Sequence, residues 1–183
     1  MIWEAGDFDR LMRGECLPLP DQKKALSRLL RRLDALIKLV SVPVLVENLE
    51  PLPIDGYDFW AQPEYICQVL EQSGCNFLLD IGHARVSADR LGMEVETYLE
   101  QLPLERVVEI HVSGPRRING RLLDAHRSMQ AADYRLLKAL LSQQTPRVVT
   151  LEYNRERDQL SKQLDRLRQV SGMLVAKPEK TTE

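Results

Sequence analysis

Histidine is scarce in this chain: His83, His111 and His126 are the only three among 183 residues. Cysteine is as sparse. Cys16, Cys67 and Cys75 form no C-x-x-C pair, which argues against a zinc ribbon, and their odd number argues against a disulfide framework. No apolar run approaches the roughly 18 residues that span a bilayer, and the first residues lack the basic and apolar regions of a signal peptide. The expectation is a cytoplasmic protein with no membrane contact. Basic charge is not in excess either: a formal net charge of -2 and a pI of about 6.0 provide no global field to gather nucleic acid. There is no P-loop, no G-x-G-x-x-G and no G-x-S-x-G, so nucleotide-fold and serine-hydrolase chemistry lack support.

What is present is an ordinary globular balance, 44% hydrophobic and 28% charged, enough for one domain with a core. Four short, almost continuously apolar runs read as buried parallel strands: "SVPVLVEN" (41 to 48), "NFLLDIGH" (76 to 83), "RVVEIHVSG" (106 to 114) and "RVVTLEYN" (147 to 154). Helical spacing occupies 21 to 40, with Pro20 and Asp21 as start signals, and 62 to 74, opened near Pro63 and closed by Gly74. A third helix over 132 to 143 carries Asp133 as its expected cap, and shorter ones are expected near 94 to 101 and 156 to 172. Alternation of this kind predicts an α/β fold, a parallel sheet or part of a (β/α) barrel. A single domain over 1–173 and a polar tail over 174–183 are expected.

Both architectures put their chemistry at the carboxyl ends of strands. Those ends carry Glu47, Asp80 with His83, His111, and Glu152, and "LLDAH" adds Asp124 and His126, which point the same way in an extended segment. Taken singly, D-x-x-H and D-x-H are more often a capped turn or a solvated loop than a ligand set, and Glu47 followed by Asn48, or Glu152 followed by Tyr153 and Asn154, could cap the next segment. Together, four acids converging at one rim would repel one another unless something positive sat among them. Carboxylate mixed with imidazole suits zinc, iron or manganese, and seven groups are enough for two ions. "GPRRINGR" (114 to 121) reads as a mobile loop whose Arg116, Arg117 and Arg121 could hold an anionic substrate.

In order and spacing, "LPLP", "VLVEN", "LLDIGHARVSA", "YLEQLPLERVVEIHVSG", "LLDAH" and "TLEYN" resemble the later part of the multinuclear non-haem iron-dependent oxidases. That family, long catalogued as a domain of unknown function, includes the iron enzyme of methanobactin biosynthesis. The resemblance implies a TIM-type barrel of the xylose-isomerase-like class with two or three irons at the strand ends. It implies Glu47 as a bridging ligand, Asp80, His111 and Glu152 completing one site, and His83, Asp124 and His126 serving a neighbouring metal. His83 departs from the asparagine of many members and is closer to the endonuclease IV type of motif. The resemblance also implies about three further strands, with two metal-binding histidines, ahead of "MIWEAGD", so this chain is expected to be truncated at its N-terminus relative to the family.

The function that the resemblance implies is a metal-dependent oxidation of peptide cysteines with dioxygen, with a separate protein presenting the peptide. Catalytic roles fall to Glu47, Asp80, His111 and Glu152. One alternative is an endonuclease IV-like or sugar-isomerase-like hydrolase or isomerase, with zinc or manganese in place of iron. Another is a non-catalytic, truncated binding module. Four strands leave open sheet edges, which a second copy or another chain is expected to cover.

Overall fold

The computed structural model describes residues 21–51 and 58–172, together with residues 9, 10, 13 and 15. The segments "MIWEAGD" and "LPLP" and the tail from 174 onward lie outside these described residues. The first long helix, α1 (Gln22–Leu39), starts where the Asp21 carboxylate accepts from Lys24 N at 3.1 Å. Its Leu26, Leu29 and Leu33 pack against Ala25, Phe59, Tyr65 and Val69, whereas Leu36, Ile37 and Leu39 of the last turns are exposed. The second helix, α2 (Pro63–Ser73), has proline in its first turn and stops at Gly74, whose φ of 70° is the left-handed conformation a helix C-cap requires.

Strands β1 (Leu45–Glu47), β2 (Asn76–Asp80), β3 (Val107–Val112) and β6 (Val148–Leu151) form one parallel sheet in the order β1-β2-β3-β6. The order never reverses. A doubly wound sheet reverses and places helices on both faces; here Phe77, Leu79, Ile110 and Val112 instead meet residues of every helix from α2 onward in one core. Those helices include α3 (Ile81–Leu91), α4 (Val95–Glu100), α5 (Ala131–Leu141) and α6 (Arg157–Ser171). The protein is therefore an arc of a TIM-type barrel, with helices outside and the opposite sheet face turned inward. Register puts Asp80 beside His111 and His111 beside Thr150, so these polar residues run in a row across the inner face.

Three local features depart from the sequence expectation. The second strand ends at Asp80 rather than His83, because Asp80 caps α3 by accepting from His83 N at 2.7 Å. The 114 to 121 segment is not a free loop: β4 (Gly114–Ile118) and β5 (Arg121–Arg127) pair as an antiparallel hairpin, turned by Asn119 and Gly120 at φ 49° and 80°. Asp133 is the third residue of a capping box whose N-cap is Gln130, and it also pairs with Arg85. Among the described residues no helix is long and apolar enough to cross a membrane.

Candidate metal centre

The hairpin folds over α3 and returns Asp124 and His126 to the carboxyl ends of the sheet, so all seven acids and histidines singled out in the sequence meet there. Three trios bring their donor atoms within 4.8 Å of one another: Glu47, Asp80 and His83; Asp80, His111 and Glu152; Asp124, His126 and Glu152. Asp80 and Glu152 each belong to two trios, Glu47 to one. His126 Nε2 lies 2.6 Å from Asp124 Oδ2 and 3.1 Å from Glu152 Oε2, and the residue holds φ at 42°, a left-handed conformation that costs a non-glycine residue roughly 1–3 kcal/mol.

Several residues that the sequence reading left out of the candidate site fix this geometry, Asn48 among them, which it took for a possible cap. Asn48, 1% exposed, donates from Nδ2 to Asp80 O at 2.9 Å and accepts from Asp80 N at 2.8 Å, which locks the first two strand ends together. Its carbonyl lies 2.8 Å from His83 Nδ1, so that nitrogen donates and the lone pair of the neutral ring is on Nε2, 3.5 Å from Asp124 Oδ2. Glu109 plays the same part for His111: its Oε1 accepts from Nε2 at 3.0 Å and from the Thr150 hydroxyl at 2.7 Å, leaving Nδ1 as the free donor atom. Ser113 donates to Asp124 Oδ1 at 2.6 Å, and Gly82 lets that pair approach α3, because a Cβ there would overlap Ser113 Oγ. Glu109 could have been found from its spacing, two residues before His111 and thus on the same strand face. Asn48 and Ser113 give no such signal, since their partners are distant in sequence.

Burial and mutual charge set the protonation of the groups at the rim. Burial pushes the Asp80 carboxyl up to about 6, against the pull of His83. At His83 burial opposes the charged ring, but the Asp124 and Asp80 carboxylates prevail and raise it to about 9. Asp124 is held below the usual carboxylate range: burial works against this, and His83 and Ser113 outweigh it. Without metal, a proton on His83 supplies the positive charge the acids demand. At the rim two buried atoms remain without a hydrogen-bond partner, Asp80 Oδ2 and His111 Nδ1, although the latter is 3.1 Å from Glu152 Oε1. Both belong to the same trio. Buried acceptors are rarely left unpaired, and a divalent cation satisfies both atoms at once, so the residues fit a metal.

A family model described as "RiPP precursor modification enzyme MbnB/TglH/ChrH" matches residues 7–174. The chain belongs to that family. Relatives of this MbnB/TglH/ChrH member include a UPF0276 protein of Caulobacter sp. (strain K31), 32% identical over 143 residues, 75% of this chain and 51% of the relative. A UPF0276 protein of Paraburkholderia phytofirmans is 35% identical over 101 residues, 55% of this chain and 33% of the relative. One from Bordetella pertussis is 32% identical over 122 residues, 62% and 41% of the two chains. The chain thus spans about half, or less, of the length of these curated relatives.

The three arginines of the hairpin have partners other than the seven ligand candidates. Arg116 donates to Pro115 O at 2.8 Å and Ser128 O at 2.6 Å. Arg117 donates to Gly120 O at 2.7 Å and pairs with Asp89. Arg121 lines a separate cavity with Glu50, Val86 and Leu123.

Proposed function

We propose that this MbnB/TglH/ChrH member is a metal-dependent oxidase domain whose rim holds iron and acts on cysteine residues of a peptide. The single observation that carries the metal is the pair of unpartnered buried atoms, Asp80 Oδ2 and His111 Nδ1, in one trio with Glu152. Membership of a family of peptide-modifying enzymes supports oxidation of a peptide over phosphodiester cleavage or sugar isomerisation. Asp80, His111 and Glu152, joined by Glu47, would hold one ion. His83 through Nε2, with Asp124 and His126, would hold its neighbour.

When bound, iron would supply the redox capacity that lets dioxygen accept electrons from a substrate thiol. The chain's own residues do the positioning. Glu109 and Asn48 fix the tautomers of His111 and His83, so that each ring offers a lone pair rather than a proton. To serve as a ligand His83 would have to give up its proton, which would couple loading to pH. The reading includes a separate protein presenting the peptide. It also includes a cytoplasmic setting, where Cys67 and Cys75, both free, persist as thiols.

The test is elemental analysis of protein purified without chelator, paired with dioxygen uptake on addition of a cysteine-containing peptide. One or more irons per chain, reduced in His111→Ala, with peptide-dependent uptake, is the expected result. Stoichiometric zinc without uptake would move the hydrolytic alternative ahead, and no retained metal would refute the oxidase and favour a binding module.

A further inference from the structure

Beside the rim lies a cavity of about 500 Å³, walled by Arg116, Arg117, Arg127, Tyr153, Arg155 and Glu156 among others. Two stretches of chain run into it directly from the metal candidates: His126 is followed by Arg127, and Glu152 by Tyr153. The four guanidiniums differ in what they are free to do. Arg116 and Arg117 are committed to backbone carbonyls and to Asp89, and they hold the hairpin wall in place. The guanidiniums of Arg127 and Arg155, both exposed, make no side-chain hydrogen bond or close ion pair among the described residues and reach Glu156 only through their charge.

Glu156 is the one acid of the lining among the described residues, and its carboxylate already accepts from the Tyr153 hydroxyl. That hydrogen bond first, then one from the backbone, and only after these the charges of Arg155 and Arg127, hold it below the ordinary carboxylate range. Four guanidiniums against one carboxylate leave a positive field over an otherwise acidic neighbourhood. Such a contrast selects the orientation of a ligand. Anionic groups are repelled by Glu47, Asp80, Asp124 and Glu152 and drawn to the cavity, while a neutral or metal-seeking group is free to lie at the rim.

We infer that Arg127 and Arg155 form a carboxylate-binding subsite that anchors the peptide substrate beside the metal rim. The planar forks of arginine match carboxylate geometry, and a peptide can supply that group from its C-terminus or from an Asp or Glu side chain. The subsite rests on the proposed peptide-modifying function for the identity of its ligand. Its role is to orient: the acidic group is held in the arginine cavity and the reacting thiol extends over the strand ends.

The experiment measures equilibrium binding of a fluorescent cysteine-containing peptide to the full chain as purified, without turnover. Three probes are used: a peptide with glutamates and a free C-terminus, its C-terminal amide, and its glutamate-to-glutamine counterpart. Arg127→Gln/Arg155→Gln is expected to weaken binding of the first probe roughly tenfold, with metal content and circular dichroism unchanged. The probe that binds wild type as weakly as the variant does identifies the source of the carboxylate. Raising ionic strength from about 0.05 M to about 0.5 M should erase most of the difference between wild type and variant. Equal binding of the three probes by wild type, or unchanged affinity in the variant, overturns the subsite. Arginine-dependent binding by protein that holds no metal would support the subsite while defeating the oxidase reading. Iron loading and dioxygen uptake with arginine-independent binding would do the reverse.

Discussion

Gly82→Ala places a methyl group where the first turn of α3 touches the hairpin. The new Cβ would overlap Ser113 Oγ and lie 3.1 Å from Asp80 Oδ1 and 3.3 Å from Asp124 Oδ1. The softest response is for the Ser113 hydroxyl to rotate away, which breaks its 2.6 Å hydrogen bond to Asp124. A hydrogen bond to a charged group contributes about 1.5–3 kcal/mol. Alanine in place of glycine in a helix returns about 1 kcal/mol, leaving a net loss of about 0.5–2 kcal/mol, or about 1–8 °C in Tm. In a Ser113→Ala background the obstruction and the hydrogen bond are both gone, so the same Gly82→Ala should be neutral or stabilising by up to about 1 kcal/mol. Urea denaturation of the four proteins, metal-free, gives the cycle, with an expected coupling of about 2 kcal/mol. An equal cost of Gly82→Ala in both backgrounds would refute the reasoning.

Two further outcomes follow from the site. Because the folded state raises His83 from 6.5 to about 9, its contribution to the stability of chelator-treated protein is fully present below pH 6.5 and disappears as pH rises through about 9. The urea midpoint should fall over that window, and a His83→Gln variant that keeps the same slope would exclude His83 as the cause. Glu109→Gln keeps the shape beside His111 and Thr150 but removes the charge, so metal affinity should drop about 10- to 100-fold by competition with a chromophoric chelator. Undiminished affinity would mean that Glu109 serves the strand rather than the ring.

The repeating scaffold was legible because each central strand is a nearly continuous apolar run and its helices carry local stops: Asp21 caps α1 and Gly74 closes α2 as their residue types require. The ligand candidates were legible for a related reason, since an acid at the end of such a run has no packing role to play. The helix after Asp80 was hidden by the same apolar continuity, with Ile81 extending the pattern of β2 into what is a helical turn. The hairpin did have a signal, Asn119-Gly120, which the density of arginine around it obscured. Asn48 and Ser113 were beyond reach. Their importance comes from partners at Asp80 and Asp124, and only the folded chain makes them neighbours.

The hairpin's ladder is self-contained: β4 and β5 pair with each other and, among the described residues, with no strand of the parallel sheet. Asp124 and His126 ride on that appendage, whereas Asp80, His111 and Glu152 belong to the central strands and their ends. Any ion shared between the two sets would act as a rivet. An opening of the hairpin that leaves the sheet intact would then have to break metal–ligand bonds, so the local unfolding free energy of β4 and β5 would climb with occupancy while that of the sheet changed little. Occupancy would be written into the breathing of one ribbon.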